Sequence, residues 1–369
     1  RGVSHPDGLP HRLRPERRVN MTTAFLGTTL VRDRDYLLAD NDIVFKVIGD
    51  IHPDTHYLGY VKYYPSSLGD RRLLGRTYRH NTVVSKSFGI LADHTDHYVY
   101  SDALGCVITG VPRNRVRRHY SCREALTRIL SDPAQTATVP VGRDLVTILQ
   151  AIASDGTGHL FGVTGSFLVG CFTAASDIDL VCYGEEGYHA ARRLFSDESL
   201  IVPYQGPRTQ QLYRRRAKYL VGSGFTALIR QEQRKLQGIT KGSGAHINCE
   251  PLRADSDTVS PCLGAMKEIG EIQLVAEVTD HSQGLLTPAV YGISARSVLG
   301  STVDDPERLA PRITHVFSHL GAHTGAFRTG DRLYLSGRLV HFGRERHEGF
   351  GVSLTPWSLR GDYLANLID

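Results

Sequence analysis

Apolar and polar positions alternate with a short period at both ends of the chain and with a longer one in the middle. Near the front, "DIVFKVIGDIH" (42–52), "YLGYVKYYP" (57–65) and "HYVYSDALGCVITGV" (97–111) are rich in β-branched and aromatic residues. Gly, Asp and Pro break them, the pattern of strands joined by turns. This predicts a β-rich N-terminal domain over 21–135. "CREALTRILSDP" (122–133) reads as a helix stopped at Asp-Pro, and "SDPAQTATVPVG" (131–142) as a linker.

The period then lengthens. In "RDLVTILQAIASDG" (143–156), Leu145, Ile148, Leu149 and Ile152 form one apolar stripe of a helix. "HLFGVTGS" reads as a strand and turn, "ASDIDLVCYG" as a strand, and "EEGYHAARRLF" (185–195) and "FTALIRQEQRKLQG" (225–238) as helices. "AHINCEPL" (245–252) reads as a further strand. Such alternation predicts an α/β unit over 140–257. From 262 to 369 the β signals return in "IGEIQLVAEVTD", "PAVYGIS", "DRLYLSGRLVHFG" and "GFGVSLTP", which predicts a small β-barrel or sandwich.

Length agrees with this division, since 369 residues exceed what one core usually serves. Residues 1–20 carry five arginines against Asp7 and Glu16 and read as a disordered arm or a leader ahead of Met21. That arm holds +3 of the formal +5, leaving about +2 for the body, so total charge gives no support for a nucleic-acid partner. Six cysteines without a CxxC pair read as reduced thiols of a cytoplasmic protein. No apolar run approaches the roughly 18 residues of a membrane span, and no membrane partner is expected.

The chemistry concentrates in "FGVTGSFLVGCFTAASDIDLVCYG" (161–184). On a strand, residues two apart share a face, so Asp177 and Asp179 point one way while Ile178 and Leu180 can be buried. Two neighbouring carboxylates repel each other unless a cation lies between them. Magnesium suits the arrangement, because it takes a few carboxylates together with substrate phosphates. The Gly165-Ser166 turn offers N–H groups and a hydroxyl for phosphate oxygens.

Gly-Ser, a ten-residue spacer and Asp-Ile-Asp between apolar strands resemble the nucleotidyltransferase superfamily that includes DNA polymerase beta. The order of β-rich and α/β parts, with "VFKVIGDIHP" near the front and "PAVYGI" near the back, also resembles a group of predicted archaeal and bacterial nucleotidyltransferases. The resemblance implies an α/β (α+β) core with a mixed sheet, flanked by the two β domains. It also implies two Mg²⁺ ions held by Asp177 and Asp179, a triphosphate held by Gly165 and Ser166, and a third carboxylate on a later strand. Glu250 is the candidate for that carboxylate, with Asn248 on its face and Asp255 as the fallback. The expected reaction is transfer of a nucleoside monophosphate from an NTP, such as ATP, to a small-molecule acceptor. The alternatives are addition to an RNA 3′ end, or a non-catalytic nucleotide- or RNA-binding protein that keeps the fold.

Several other signals compete for a role. "RRRAKYLVGSGFTALIRQEQRKLQG" (214–238) is either a triphosphate patch, with Arg215 and Lys218 as candidates, or a solvated helix face. Its "GSGFTA" lacks the preceding apolar strand of a dinucleotide fold. "LGDRRLLGRTYRHN" (68–81) is either an acceptor-recognition element with a stacking tyrosine or a basic surface loop. His315, His319 and His323 would align as metal ligands on a helix. "HTDH" (94–97) and "DIHPDTH" (50–56) invite the same question. No P-loop, G-x-S-x-G elbow or H-E-x-x-H occurs.

Overall fold

Strand pairing divides the chain into three main sheets of eight, five and six strands, with helices gathered on the middle one. The structure, a computed structural model, describes residues 25–26, 29–216, 225–255, 257, 264–343, 348–354 and 364–368. The arm at 1–20, Lys218 and Cys262 lie outside the described residues, as do the first three residues of "GSGFTA". The fold is mixed α/β with a β-rich N-terminal region. No helix among the described residues is long and apolar enough to cross a membrane.

In the N-terminal sheet the strand His56–Pro65 is the organiser, pairing with Val44–Val47, Arg76–His80 and Cys106–Pro112. From Tyr60 onward it alternates strictly. Val61 and Tyr63 are buried, while Tyr60 and Lys62 stand half-buried on the opposite face. "RRLLGRTYRH", read as an acceptor element or a surface loop, is a hairpin of Arg71–Leu73 with Arg76–His80. Arg71 reaches from it to the Thr173 hydroxyl at 2.9 Å.

The middle sheet runs in the order Phe161–Val163, Ile178–Tyr183, His246–Leu252, Gln237–Thr240, Ile201–Pro203. Only Ile178–Tyr183 with His246–Leu252 is parallel; the other neighbours are antiparallel, so the sheet is mixed. Helix Cys122–Ser131 buries Ala125, Leu126 and Ile129, and helix Pro140–Ser154 buries Leu145, Ile148, Leu149 and Ile152. Each such side chain contributes roughly 1.5–3 kcal/mol of apolar burial. The stretch read as a linker is largely helical. Pro133–Thr136 forms a turn of helix and Pro140 opens the next, where a proline's missing N–H costs nothing. One hydrophobic cluster joins Tyr36, Leu38 and Tyr63 of the first sheet to these helices and to Ile178 and Leu180.

The C-terminal strands pair in a circuit: Met266–Gln283, Ala289–Ser301, Ile313–Ser318, Gly349–Leu354, Arg332–Phe342 and back to Met266–Gln283. Leu364–Ile368 adds to Arg332–Phe342. Ala227 of helix Phe225–Gln233 joins the core of these strands, and Arg234 ion-pairs with Asp331, fixing the third sheet to the middle one.

The histidines expected to align on a helix do not. His315 lies within a strand, and His323 is buried with Nδ1 2.7 Å from the Ser318 hydroxyl. His97 of "HTDH" is likewise buried, with Nδ1 2.8 Å from the Gly110 carbonyl oxygen. Burial pushes His52 and His319 down to about 3 from 6.5, helped by Arg113 in the first case and by Arg338 and Arg34 in the second. The unfolded chain therefore takes up protons below about pH 6.5 that the folded chain refuses. Asp50 acts in the opposite sense. Burial and the Asp33 charge raise it to about 6 from 3.8, so its contribution falls as pH rises between those values. Burial also lowers His80, to about 4, with Lys62 and Arg71 adding to the effect, so the histidines outnumber Asp50 and stability falls on acidification below about pH 6. Urea midpoints at about pH 7.5 and about pH 5 should show the loss, and His52→Gln should reduce it. Equal midpoints in the parent protein would exclude neutral buried histidines as the cause.

Candidate functional site

The parallel register sets Asp179 beside Asn248 and Val181 beside Glu250. Asp179, Asn248 and Glu250 consequently share one face of two adjacent strands, and Asp177 stands just ahead of the first of them. That face and Asp177 line one cavity of about 360 Å³. Its other walls come from both flanking domains: Arg34, Lys46 and Tyr60 from the first sheet, and Leu285 with the Gly321–Gly325 loop from the third. Arg215, Arg234 and Lys235 of the basic stretch close the remaining side.

Each acid has a different partner. Asp177 accepts from Arg215 Nη2 at 2.7 Å, with both side chains about two-fifths exposed. Asp179 accepts from Asn248 Nδ2 at 2.6 Å, a neutral donor that leaves its negative charge uncancelled. Glu250 is ion-paired with Arg34, and both of these side chains are largely buried. Burial lowers the Arg34 pKa, but the Asp33 and Glu250 carboxylates outweigh it and raise the value, so this guanidinium stays charged.

Gly165 is where the Gly-Ser turn acts on the acids. Its φ of +70° is left-handed, and a Cβ there would lie 2.2 Å from Asp179 Oδ2. The glycine makes room for the carboxylate and lets the turn pass beneath it. Gly165→Ala is expected to cost about 1–3 kcal/mol of stability and to displace Asp179. Thermal denaturation reads the first effect, and an unshifted melting curve would contradict it.

Ser166 stands elsewhere. Its hydroxyl donates to Ser176 Oγ at 3.1 Å, it is 9% exposed, and neither it nor Gly165 lines the cavity. Ser166 thus braces the loop that leads into Asp177. Asp255, the fallback for the third acid, lies outside the cavity too, exposed and ion-paired with Arg32.

Among the described residues no group of three His, Cys, Asp or Glu side chains is close enough to hold a metal, so Asp177, Asp179 and Glu250 do not form a three-carboxylate cage. Two of them still suit magnesium. Asp177 and Asp179 are hard oxygen donors lining one cavity, and a pair of carboxylates completed by phosphate oxygens is a usual magnesium set. The exposed Arg215–Asp177 pair is worth at most about 1 kcal/mol, which a divalent ion can displace. The buried Arg34–Glu250 pair is not released so easily.

Sequence reading missed Arg34, Lys46 and Tyr60. Their signals were a lone lysine inside the apolar run "DIVFKVIGD" and a charge-dense "RDRD" against an apolar strand. Neither pattern says which distant strand it will face. No family model matches the chain, and no curated protein or solved structure matches it either. The cavity's own chemistry therefore carries the functional reading.

Proposed function

We propose that the protein is a magnesium-dependent nucleotidyltransferase that moves a nucleoside monophosphate from an NTP to a small-molecule acceptor. The observation that carries this reading is the pair of aspartates at the start of the parallel strand, Asp177 just before it and Asp179 on it, both lining one cavity with several cationic side chains. On this reading the middle sheet is the nucleotidyltransferase core and the circuit of C-terminal strands is a small barrel that forms one wall.

In the reaction, an acceptor oxygen forms a bond to the α-phosphorus and the bond to the β-phosphate bridging oxygen breaks, releasing pyrophosphate. Asp177 and Asp179 would hold magnesium. When bound, it neutralises charge on the phosphates and supports the leaving group. Glu250, the remaining cavity carboxylate, would take the acceptor's hydroxyl proton, with Arg34 fixing its position. Arg215, released from Asp177, would turn to the phosphates. Most of the acceleration would come from positioning and from compensating phosphate charge.

A small acceptor is favoured over RNA for two reasons. The cavity takes walls from three parts of the chain and lies in the usual size range of small-molecule pockets, and the body carries little net charge. Incubation with each NTP, magnesium and a panel of hydroxyl or phosphate acceptors, followed by a pyrophosphate assay, tests the proposal. Activity that falls steeply with salt would point to RNA, because phosphate contacts release counterions. No pyrophosphate with any combination would leave a nucleotide-binding protein in place of an enzyme.

A further inference from the structure

Two opposite charges in the cavity are left uncompensated among the described residues. Arg215 is spent on Asp177, Arg34 on Glu250, Arg234 on Asp331 and Lys235 on Glu232. Asp179 has only the neutral Asn248, and Lys46 has no hydrogen bond or ion pair. The two are not paired with each other. A negative and a positive group kept apart in one cavity call for a ligand that brings a cation to the first and an anion to the second.

The surroundings of Lys46 specify the anion further. Its strand lies between two others, and the register sets Tyr36 directly across on one side and Tyr60 directly across on the other. Cross-strand neighbours share a face, and the Lys46 charge acts on the Tyr60 phenol. Tyr60 lines the cavity. Tyr36 is fully buried behind this face and does not line the cavity.

We infer that Lys46, with the Tyr60 hydroxyl beside it, forms a phosphate-binding subsite on the N-terminal sheet, in the same cavity as Asp179. One ammonium and one hydroxyl donor match two acceptor oxygens of a phosphate, for which lysine serves as a point charge. The local field agrees. Burial alone would raise the Tyr60 pKa, yet Lys62, Lys46 and Arg34 together bring it below its ordinary value, the mark of a positive potential. The phosphate belongs either to the nucleotide or to a phosphorylated acceptor. Only that second question rests on the nucleotidyltransferase reading.

Calorimetric titration of the full-length protein separates these cases without turnover. The probes are inorganic tripolyphosphate, and inorganic phosphate added to protein already saturated with a non-hydrolysable ATP analogue and magnesium. If the nucleotide supplies the phosphate, Lys46→Met weakens tripolyphosphate roughly tenfold or more while Lys46→Arg keeps most of the affinity. If the acceptor supplies it, tripolyphosphate is unaffected and inorganic phosphate is lost from the loaded protein. Lys46→Met binding both probes like the parent, with an unchanged melting curve, overturns the subsite. Should that variant fold poorly, Tyr60→Phe carries the test: a severalfold loss supports the subsite and unchanged binding of both probes refutes it. Lys46-dependent phosphate binding in a protein that releases no pyrophosphate would sink the enzymatic reading and leave the subsite standing.

Discussion

Asp179→Asn is expected to cut pyrophosphate release by roughly a hundred- to a thousandfold, about 3–4 kcal/mol of transition-state stabilisation. Asparagine keeps the shape of the side chain and can still accept from Asn248, so the fold and the Gly165 cradle should survive. What disappears is the charge that the neutral Asn248 leaves available to a cation. Asp177→Asn should cost less, since Asp177 is partly exposed and already shared with Arg215. Steady-state assays with magnesium and a productive NTP–acceptor pair would measure both. An Asp179→Asn protein that turns over at the parent rate would show that this acid does not grip the metal.

Arg34→Met should be the most damaging change to stability, on the order of 3 kcal/mol or more. Its guanidinium pairs with Glu250 of the middle sheet and approaches Asp33, and Nη2 donates to Thr287, in the turn between the first two strands of the third sheet, at 3.3 Å. Its carbonyl accepts from the Thr164 hydroxyl at 2.8 Å. One residue therefore ties the three sheets around the cavity. Methionine would fill similar space while leaving Asp33 and Glu250 in buried surroundings with their main cation gone. The backbone adds to the picture, because Arg34 has φ +72°, a left-handed conformation that costs a non-glycine residue about 1–3 kcal/mol. That strain persists because bonds to two other sheets hold it. Chemical denaturation should show the loss, and Glu250→Gln in the same background should recover part of it by removing a stranded charge. A normal denaturation midpoint for Arg34→Met would mean the three-way junction contributes little.

Local patterning determined much of this protein. The helix at 140–154 followed from four apolar residues on one stripe, and the long strands from two-residue alternation. The placement of Asn248 and Glu250 on one face followed from the same alternation. These features depend on neighbours a few residues away, which the sequence displays directly. The short strand Gln237–Thr240 was missed, its first two residues being read as the end of the helix over 225–238, because pairing with His246–Leu252 overrides the local signal.

Partnership between distant charges was decided only by the tertiary structure. Parallel pairing over about 70 residues of chain set Asp179 against Asn248 and turned Glu250 to the same cavity, where Arg34 of another sheet claimed it. The same packing sent Ser166 to Ser176 instead of the cavity and brought Lys46 into the cavity that the acids line. A side chain's charge and reach are written in its own residue type. What it meets depends on how three separately formed sheets close around one space, and Coulomb and hydrogen-bond energies vary too steeply with distance for linear order to reveal it.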